Sequence, residues 1–305
     1  MSIVLHLGLP KTATTSLQRH CFPAVSSDTY FAGKGPDEYG RTELYEYVRA
    51  MVHNGECAAA AARYRPLVNA AIAGLRKKYK QIVLSDEMWV VDTERSSWQE
   101  KIRRLGVLLA DQDVKVAVVV REPIDIAYSL YVEMWPISSS LWRGLSEYLS
   151  ESNQALLFDY GKLRKNLAAA FALENVKFFE FSRIVAPEGV RQFADTLAIS
   201  LSDALTTGHE NRKLHARTGY VPSPTTLRTA ALRAPLVRQI IRRVPRRFYD
   251  RFARALERIP VTAGKPIEYP TEQVVDDFYS RIGSGLRDFE NSVGIAFQWG
   301  RSREK

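Results

Sequence analysis

The sequence has few cysteines and no long apolar run. Its 305 residues include two cysteines, Cys21 and Cys57, and neither lies in a CxxC pair or beside paired histidines. The sequence therefore predicts neither a disulfide framework nor a cysteine-ligated metal, and it favours a reducing compartment. No apolar run approaches the roughly 18 residues that a membrane-spanning helix needs. Because no signal peptide precedes the first strand pattern at Ile3, we expect a cytoplasmic protein.

Acidic residues are fewer than basic ones. Lys and Arg total 43 against 34 Asp and Glu, which gives a formal net charge of +9. A basic balance favours anionic partners such as nucleotides, acidic polysaccharides, nucleic acid or an anionic membrane surface, without choosing among them. The apolar share of 46% is typical of a globular chain that buries a large core.

Strand and helix patterns alternate along most of the chain. Apolar runs rich in Val, Ile and Phe predict buried strands at 3–8, 81–85, 114–120 and 176–181, with a shorter one at 29–33. Helical patterns lie between them, at 14–22, 40–52, 58–79, 97–111, 123–134, 142–150, 160–172 and 187–198. This alternation predicts an α/β fold with a central parallel sheet flanked by helices. In such sheets ligands bind at the carboxyl ends of the strands.

The residue pattern changes after residue 221, from alternating strands and helices to a basic helical pattern. We expect residues 1–221 to form the α/β core and residues 222–305 to form a basic helical C-terminal extension that packs on it. Between 227 and 260, Arg alternates with apolar residues at helical spacing. This Arg-rich segment has three interpretations: a solvated amphipathic helical pair, a cradle for an anionic or extended acceptor, or peripheral contact with an acidic membrane surface. Nucleic-acid binding is disfavoured, since no recognisable fold or base-stacking motif accompanies the charge.

The turn after the first strand lacks the second glycine of a nucleotide triphosphatase loop, because Pro10 precedes Lys11. It keeps a lysine and the free backbone N–H groups of a helix N-terminus, which together form an anion site. Hydroxyl side chains follow in the same turn: Thr12, Thr14, Thr15 and Ser16. An ordinary strand-to-helix turn is the alternative, although a cap needs one hydroxyl rather than four hydroxyls and a lysine.

The third long strand pattern ends in a cation where a triphosphatase would carry a metal-binding carboxylate. Arg121 follows residues 114–120, and Ser129 lies eight residues further on, about two turns into the next helix. An Arg at this place argues against a metal and for a second anionic group, which Arg121 and Ser129 would hold from two sides. A structural Arg–carboxylate pair beside a solvated Ser is the alternative.

These two motifs resemble those of a known enzyme family. PKTATTS (10–16) resembles the 5′-phosphosulfate loop of sulfotransferases that use 3′-phosphoadenosine 5′-phosphosulfate (PAPS), and REPIDIAYSLY (121–131) resembles their 3′-phosphate motif. Residues 158–184 are similar to bacterial carbohydrate-type members, and the resemblance covers about residues 1–215. Ala13 departs from a common Gly, and Ser16 departs from the Trp of cytosolic small-molecule members.

The resemblance implies a fold, a reaction and a binding site. It implies a P-loop-like sulfotransferase fold, PAPS as donor, and no metal. The acceptor would be a carbohydrate or glycoconjugate hydroxyl. Residues 10–16, Arg121 and Ser129 would bind the donor, and Lys11 would stabilise charge on the bridging oxygen. Arg212 and Lys213 would close over the 3′-phosphate, although a solvated charged loop fits them equally well. A P-loop kinase and a non-catalytic nucleotide-binding module remain the alternatives.

A hydroxyl acceptor also needs a general base. The second long strand ends in Ser85, Asp86 and Glu87, and carbohydrate-type members often use a Glu from this region. We therefore expect Glu87 to be the base, with Asp86 as the alternative. Ser-Asp-Glu is also good helix-capping sequence, and His20 and His53 are rival bases.

Overall fold

The computed structural model describes residues 2–33, 42–53, 57–93, 95–134, 141–186, 188–202, 225–226, 260–262, 267 and 269–298. The chain forms two compact units. The first contains Met1–Ile126, Asn153–Arg212 and Tyr279–Lys305, and the second contains Ala127–Ser152 and Lys213–Phe278. The predicted boundary at residues 221 and 222, and the Arg-rich residues 227–259, lie outside the described residues.

A five-stranded parallel sheet forms the centre of the first unit. Its strands are β1 (Ser2–Leu7), β2 (Thr29–Gly33), β3 (Gln81–Asp86), β4 (Val114–Val120) and β5 (Val176–Glu180). The order across the sheet is β2-β3-β1-β4-β5, with every neighbouring pair parallel. The side chains of β1, β3 and β4 are almost all buried, as expected of strands covered on both faces. The predicted α/β fold with a parallel sheet is confirmed.

Helices follow the strands in the predicted places. They are α1 (Thr14–Ser16), α2 (Glu43–His53), α3 (Cys57–Arg76), α4 (Trp98–Leu109), α5 (Pro123–Glu133), α6 (Leu145–Glu151), α7 (Tyr160–Ala170), α8 (Phe181–Ile184), α9 (Gly189–Thr196) and α10 (Glu272–Val293). Ser97 caps α4 by accepting a hydrogen bond from the Glu100 N–H at 3.2 Å. The predicted C-terminal helix is confirmed as α10. None of the described helices is both long and apolar enough to cross a bilayer.

The strand order brings three strand ends together. The central strand β1 lies between β3 and β4, and Leu7 at its end pairs with Asp86 on one side and Val118 on the other. The chain leaves β1 for the edge strand β2, adds β3 between β2 and β1, and then crosses β1 to add β4 on its other side, so the connections diverge at this point. Such a switch in strand order opens a crevice at the carboxyl edge of the sheet. The turns that follow β1, β3 and β4 all start at this edge.

The C-terminal part of α10 packs against α7 within the first unit. A Cβ on Gly161 would lie 2.6 Å from the Gly285 Cα, so two glycines let the helix backbones approach closely. Next to this contact, the ring of Tyr160 packs on Phe289 and Phe297, with centroids 5.4 and 5.3 Å away. The helix end thus fixes Tyr160 beneath the carboxyl end of β4.

The second unit contains the C-terminal part of α5 together with α6. A short antiparallel pair joins β6 (Thr225–Thr226) to β7 (Pro260–Thr262). The Tyr128 hydroxyl donates to the Ile267 carbonyl at 2.7 Å, and its ring lies 5.2 Å from that of Tyr269. This edge-to-face contact is of the kind that aromatic pairs prefer.

Candidate active site

The loop after β1 packs closely on itself. The hydroxyls of Thr12 and Thr14 both donate to the Leu9 carbonyl, at 2.7 and 3.1 Å, and both side chains are buried. A Cβ on Gly8 would lie 2.3 Å from the Thr14 Cγ2, so a glycine is required there. Two of the hydroxyls that the sequence offers to an anion therefore hold the shape of the loop itself.

Two residues of this loop adopt the left-handed conformation although they are not glycine. Lys11 has φ 65°, and Ala13 has φ 61° with ψ 15°. Each such residue costs about 1–2 kcal/mol relative to the right-handed region. Because helix α1 begins directly after Ala13, the turn changes from left-handed to right-handed backbone, the kind of change with which consecutive N–H groups form anion-binding concavities. The Ala found where a Gly is common thus occupies a position at which Gly would be unstrained.

The helix that follows the loop is irregular. The predicted helix at 14–22 is found as α1, which continues as a π-helical segment (Leu17–Cys21) and a 3₁₀ segment (Phe22–Ala24). Segments of π-helix are rare and occur frequently at functional sites. The π-helical segment directs Gln18 inward, where its Nε2 donates to the Ser85 Oγ at 3.0 Å.

A buried polar cluster connects the loop helix to two strands. The His6 Nδ1 lies 2.8 Å from the Ser85 Oγ, which also accepts the bond from Gln18. Burial lowers the pKa of His6 to about 3, so its imidazole is neutral at physiological pH. The edge of the ring packs on Phe22, with centroids 5.3 Å apart. The cluster ties β1, β3 and the π-helical segment together below the loop.

Arg121 follows the end of β4, and both its backbone N–H and its carbonyl are hydrogen-bonded. Its N–H donates to the Tyr160 hydroxyl oxygen at 3.2 Å, and its carbonyl accepts from the same hydroxyl at 2.6 Å. Its guanidinium lies 5.1 Å from the centroid of the Phe181 ring and 3.8 Å from the Asp125 carboxylate. That ion pair is long and partly exposed, and such pairs contribute little to stability. Tyr160 and Phe181 therefore orient a cation at the carboxyl edge of the sheet.

Ser129 follows on α5, where it is buried. It belongs to the part of the helix that lies in the second unit, whereas Arg121 lies in the first. The predicted grip of Arg121 and Ser129 on one phosphate stays a prediction. Arg212 and Lys213 lie outside the described residues, so their predicted role also stays a prediction.

The residues after β3 form a capped 3₁₀ turn, Glu87–Val90. Asp86 caps it, since its Oδ1 accepts from the Met88 N–H at 2.9 Å while its Oδ2 accepts from the Tyr45 hydroxyl at 2.6 Å. The capping interpretation therefore describes Asp86. Glu87 is the first residue of the turn, and its side chain is half-buried at the edge where the loop of β1 also lies.

The two rival bases occupy different surroundings. His53 ends α2 close to Asp86 and Lys101, and burial together with the Lys101 charge lowers its pKa to about 4. His20 lies half-buried in the π-helical segment. The assignment of the base to Glu87 rather than to either histidine stays a prediction.

The carboxylate of Glu122, next to Arg121, is held by residues from the C-terminal part of the chain. It accepts hydrogen bonds from the Tyr279 hydroxyl and, at 2.8 Å, from the Gln298 N–H. Burial raises the pKa of Glu122 above its ordinary value. Within the described ranges, no three His, Cys, Asp or Glu side chains come together as a set of metal ligands.

Sequence reasoning missed Tyr160 and Lys101. Tyr160 lies within a segment that the family resemblance covers, but its bonds to Arg121 join residues 39 positions apart. Lys101 is fully buried on α4, between Trp98 and Ile102. A charged residue on the apolar stripe of a helix is a signal that marks such a position.

Comparisons with known proteins give a distant structural likeness and no sequence match. No protein-family model matches the sequence, and no curated protein matches it. Among solved structures the chain is similar to a sulfotransferase from Alicyclobacillus acidocaldarius. The two share 16% identity over 69% of this chain and 86% of that chain, with a TM-score of 0.42. A likeness this distant carries no argument about function.

Proposed function

We propose that the protein is a sulfotransferase that moves a sulfuryl group from PAPS to a hydroxyl of a carbohydrate or glycoconjugate. The observation that carries the proposal is a pair of cationic groups at the ends of neighbouring strands. The strained loop with Lys11 follows β1, and Arg121 follows β4. A donor with separate 5′ and 3′ anionic groups suits this pair, and the motif resemblance of residues 10–16 and 121–131 points to the same donor.

Two of the carboxylates at or just past the ends of β3 and β4 accept hydrogen bonds from the protein itself. A triphosphatase needs an acidic side chain that is free to hold Mg²⁺. Asp86 accepts bonds from Tyr45 and Met88, and Glu122 accepts bonds from Tyr279 and Gln298. Asp86 and Glu122 are thus engaged by the protein itself, and Glu87 at the same edge is assigned to the acceptor proton, so the kinase alternative is decided by the nucleotide-binding test below.

The chemistry assigns distinct roles to Lys11 and Glu87. An acceptor oxygen attacks the sulfur in line, a new S–O bond forms, and the bond from sulfur to the 5′-phosphate oxygen breaks. Glu87 accepts the proton that the acceptor hydroxyl loses. The Lys11 charge and the N–H groups around Ala13 stabilise the negative charge that develops on the leaving phosphate. A non-catalytic binding module would keep Lys11 and the N–H groups around Ala13 but would not need Glu87.

The proposed acceptor class comes from the sequence and from its charge. The carbohydrate or glycoconjugate acceptor follows from the resemblance of residues 158–184 to carbohydrate-type members and agrees with the basic net charge of +9. A screen of hydroxyl acceptors with sulfur-labelled PAPS tests it directly. Transfer to Tyr-containing peptides or phenols alone would contradict the acceptor class while leaving the donor intact.

The donor is tested by nucleotide binding. We expect 3′-phosphoadenosine 5′-phosphate to raise the melting temperature far more than ATP with Mg²⁺. Arg121→Ala should weaken bisphosphate binding, since a hydrogen bond to a charged group is worth about 1.5–3 kcal/mol. Arg183→Ala is the matched control, because Arg183 follows the next strand but is 75% exposed in a surface ion pair. Equal stabilisation by Mg-ATP would refute the proposed donor.

A further inference from the structure

The 3₁₀ turn that begins at Glu87 is held by two hydrogen bonds to the backbone of the following residue, Met88. The Met88 N–H donates to Asp86 at 2.9 Å, and the Met88 carbonyl accepts from the Lys101 ammonium at 3.0 Å. Lys101 also donates to the Val91 carbonyl, just past the end of the turn. The two peptide groups on either side of Met88 are thus held, one by a carboxylate and the other by an ammonium.

Lys101 is an unusual side chain to find at this depth. It reaches the turn from α4, and it is fully buried. Its ammonium faces Asp86 from β3, Asp92 from the segment after the turn, Arg104 from its own helix and His53 from α2. Burying a charge is costly even when it is paired, and an apolar replacement of similar volume is often neutral or stabilising. Stability alone therefore does not account for a lysine here.

We propose that Lys101 is a positioning residue for Glu87. Its ammonium clamps the carbonyls at Met88 and Val91, so the turn keeps the Glu87 carboxylate at the crevice beside the β1 loop. The proposal rests on the proposed function for the role of Glu87, but the clamp itself is a property of the fold. Lys101 acts through the backbone of the turn and touches no reacting atom.

Two interpretations of Lys101 make opposite predictions for Lys101→Met. If the lysine served stability, the variant would change the melting temperature and leave the kcat of folded protein unchanged. If it positions Glu87, the protein stays folded and kcat falls. A misplacement of about 1 Å typically costs on the order of 100-fold in rate. Bisphosphate affinity should change much less than kcat, because the charged groups that act on Lys101 are Asp86, Asp92 and Arg104, and its hydrogen bonds go to the turn after β3.

Hydrogen exchange tests the clamp without reference to any activity. In Lys101→Met, the amides of residues 86–91 should exchange faster, while those of β4 should keep their protection. Arg103→Met is the matched control, since Arg103 lies on the same helix but its exposed guanidinium pairs with Glu100. Unchanged exchange at 86–91 overturns the proposal, and so does faster exchange throughout the first unit.

The pH profile of turnover supplies a second readout. Burial lowers the pKa of Lys101 to about 8, so its clamp loses its charge in mildly alkaline solution. Wild-type kcat should therefore decline above about pH 8, and Lys101→Met should lack this limb. A wild-type protein without bisphosphate binding or PAPS turnover would refute the proposed function, and the exchange experiment would still decide the clamp. Wild-type kcat in Lys101→Met overturns the positioning role.

Discussion

Gly8→Ala is expected to disable the loop after β1 without unfolding the sheet. The added Cβ would lie 2.3 Å from the Thr14 Cγ2, 2.7 Å from its Oγ1 and 3.1 Å from its Cβ. Since real Cβ atoms do not come within 3.0 Å of such neighbours, Thr14 must move. Its hydroxyl would then leave the Leu9 carbonyl, and the left-handed turn at Ala13 would lose this support.

The size of the effect follows from two contributions. Overpacking by one methyl group costs about 1–3 kcal/mol, and the lost hydrogen bond costs about 0.5–1.5 kcal/mol. If the loop relieves the strain by moving, bisphosphate affinity should fall by about tenfold to a thousandfold. Calorimetric titration with 3′-phosphoadenosine 5′-phosphate measures this change directly.

Two further variants separate the steric argument from a general effect of Gly→Ala. Gly74→Ala is the control, because a Cβ at Gly74 in α3 meets nothing within 4 Å. In a Thr14→Ala background only the 3.1 Å contact remains, so Gly8→Ala should then cost much less affinity. If Gly8→Ala alone binds the bisphosphate as tightly as wild type, the loop is not the anion site and the reasoning fails.

Three other perturbations test the site and its support. Lys11→Ala should lower kcat by about 100-fold or more while folding is kept, since its charge is needed most in the transition state; unchanged kcat would remove Lys11 from the reaction. Tyr160→Phe loses both hydrogen bonds to the Arg121 backbone and should weaken bisphosphate binding by about 3- to 20-fold, whereas unchanged affinity would show that Arg121 needs no such support. The pKa of His6 lies at about 3 in the fold against an ordinary value of 6.5, so only the unfolded chain takes up a proton as the pH falls below 6.5. The free energy of unfolding should therefore drop by about 2–3 kcal/mol between pH 7 and pH 4.5 on this account, and urea unfolding of wild type and His6→Leu at both pH values measures the difference.

The sheet was predictable because parallel strands buried on both faces are written as continuous apolar runs. Each of the strands β1, β3 and β4 coincides with such a run. The ends of the predicted strands therefore located the candidate site at one edge of the sheet. The strand order was not predictable from local pattern, since it depends on which distant strands pair. Even so, the order is what makes the ends of these three strands neighbours.

The support of the site lies in contacts between residues far apart in sequence. Tyr160 holds the Arg121 backbone, and Glu122 receives bonds from Tyr279 and Gln298. Such pairings follow from how α7 and α10 pack, which no periodicity encodes. The capping role of Asp86 was foreseen as an alternative, because Ser-Asp-Glu is common at helix starts, but its bond to Tyr45 was not.

The central position of β1 in the sheet also determines how long this strand stays unpaired while the chain is synthesised. Ile3 pairs with Ile82 on one side and with Val114 on the other, so this strand emerges from the ribosome long before either partner. At about 5–20 residues per second, its second edge waits on the order of 5–20 s for β4. During that interval an apolar strand with unpaired edges is exposed to other nascent chains. Chains stalled before residue 114 should therefore depend on chaperones, whereas chains that have passed β4 should not.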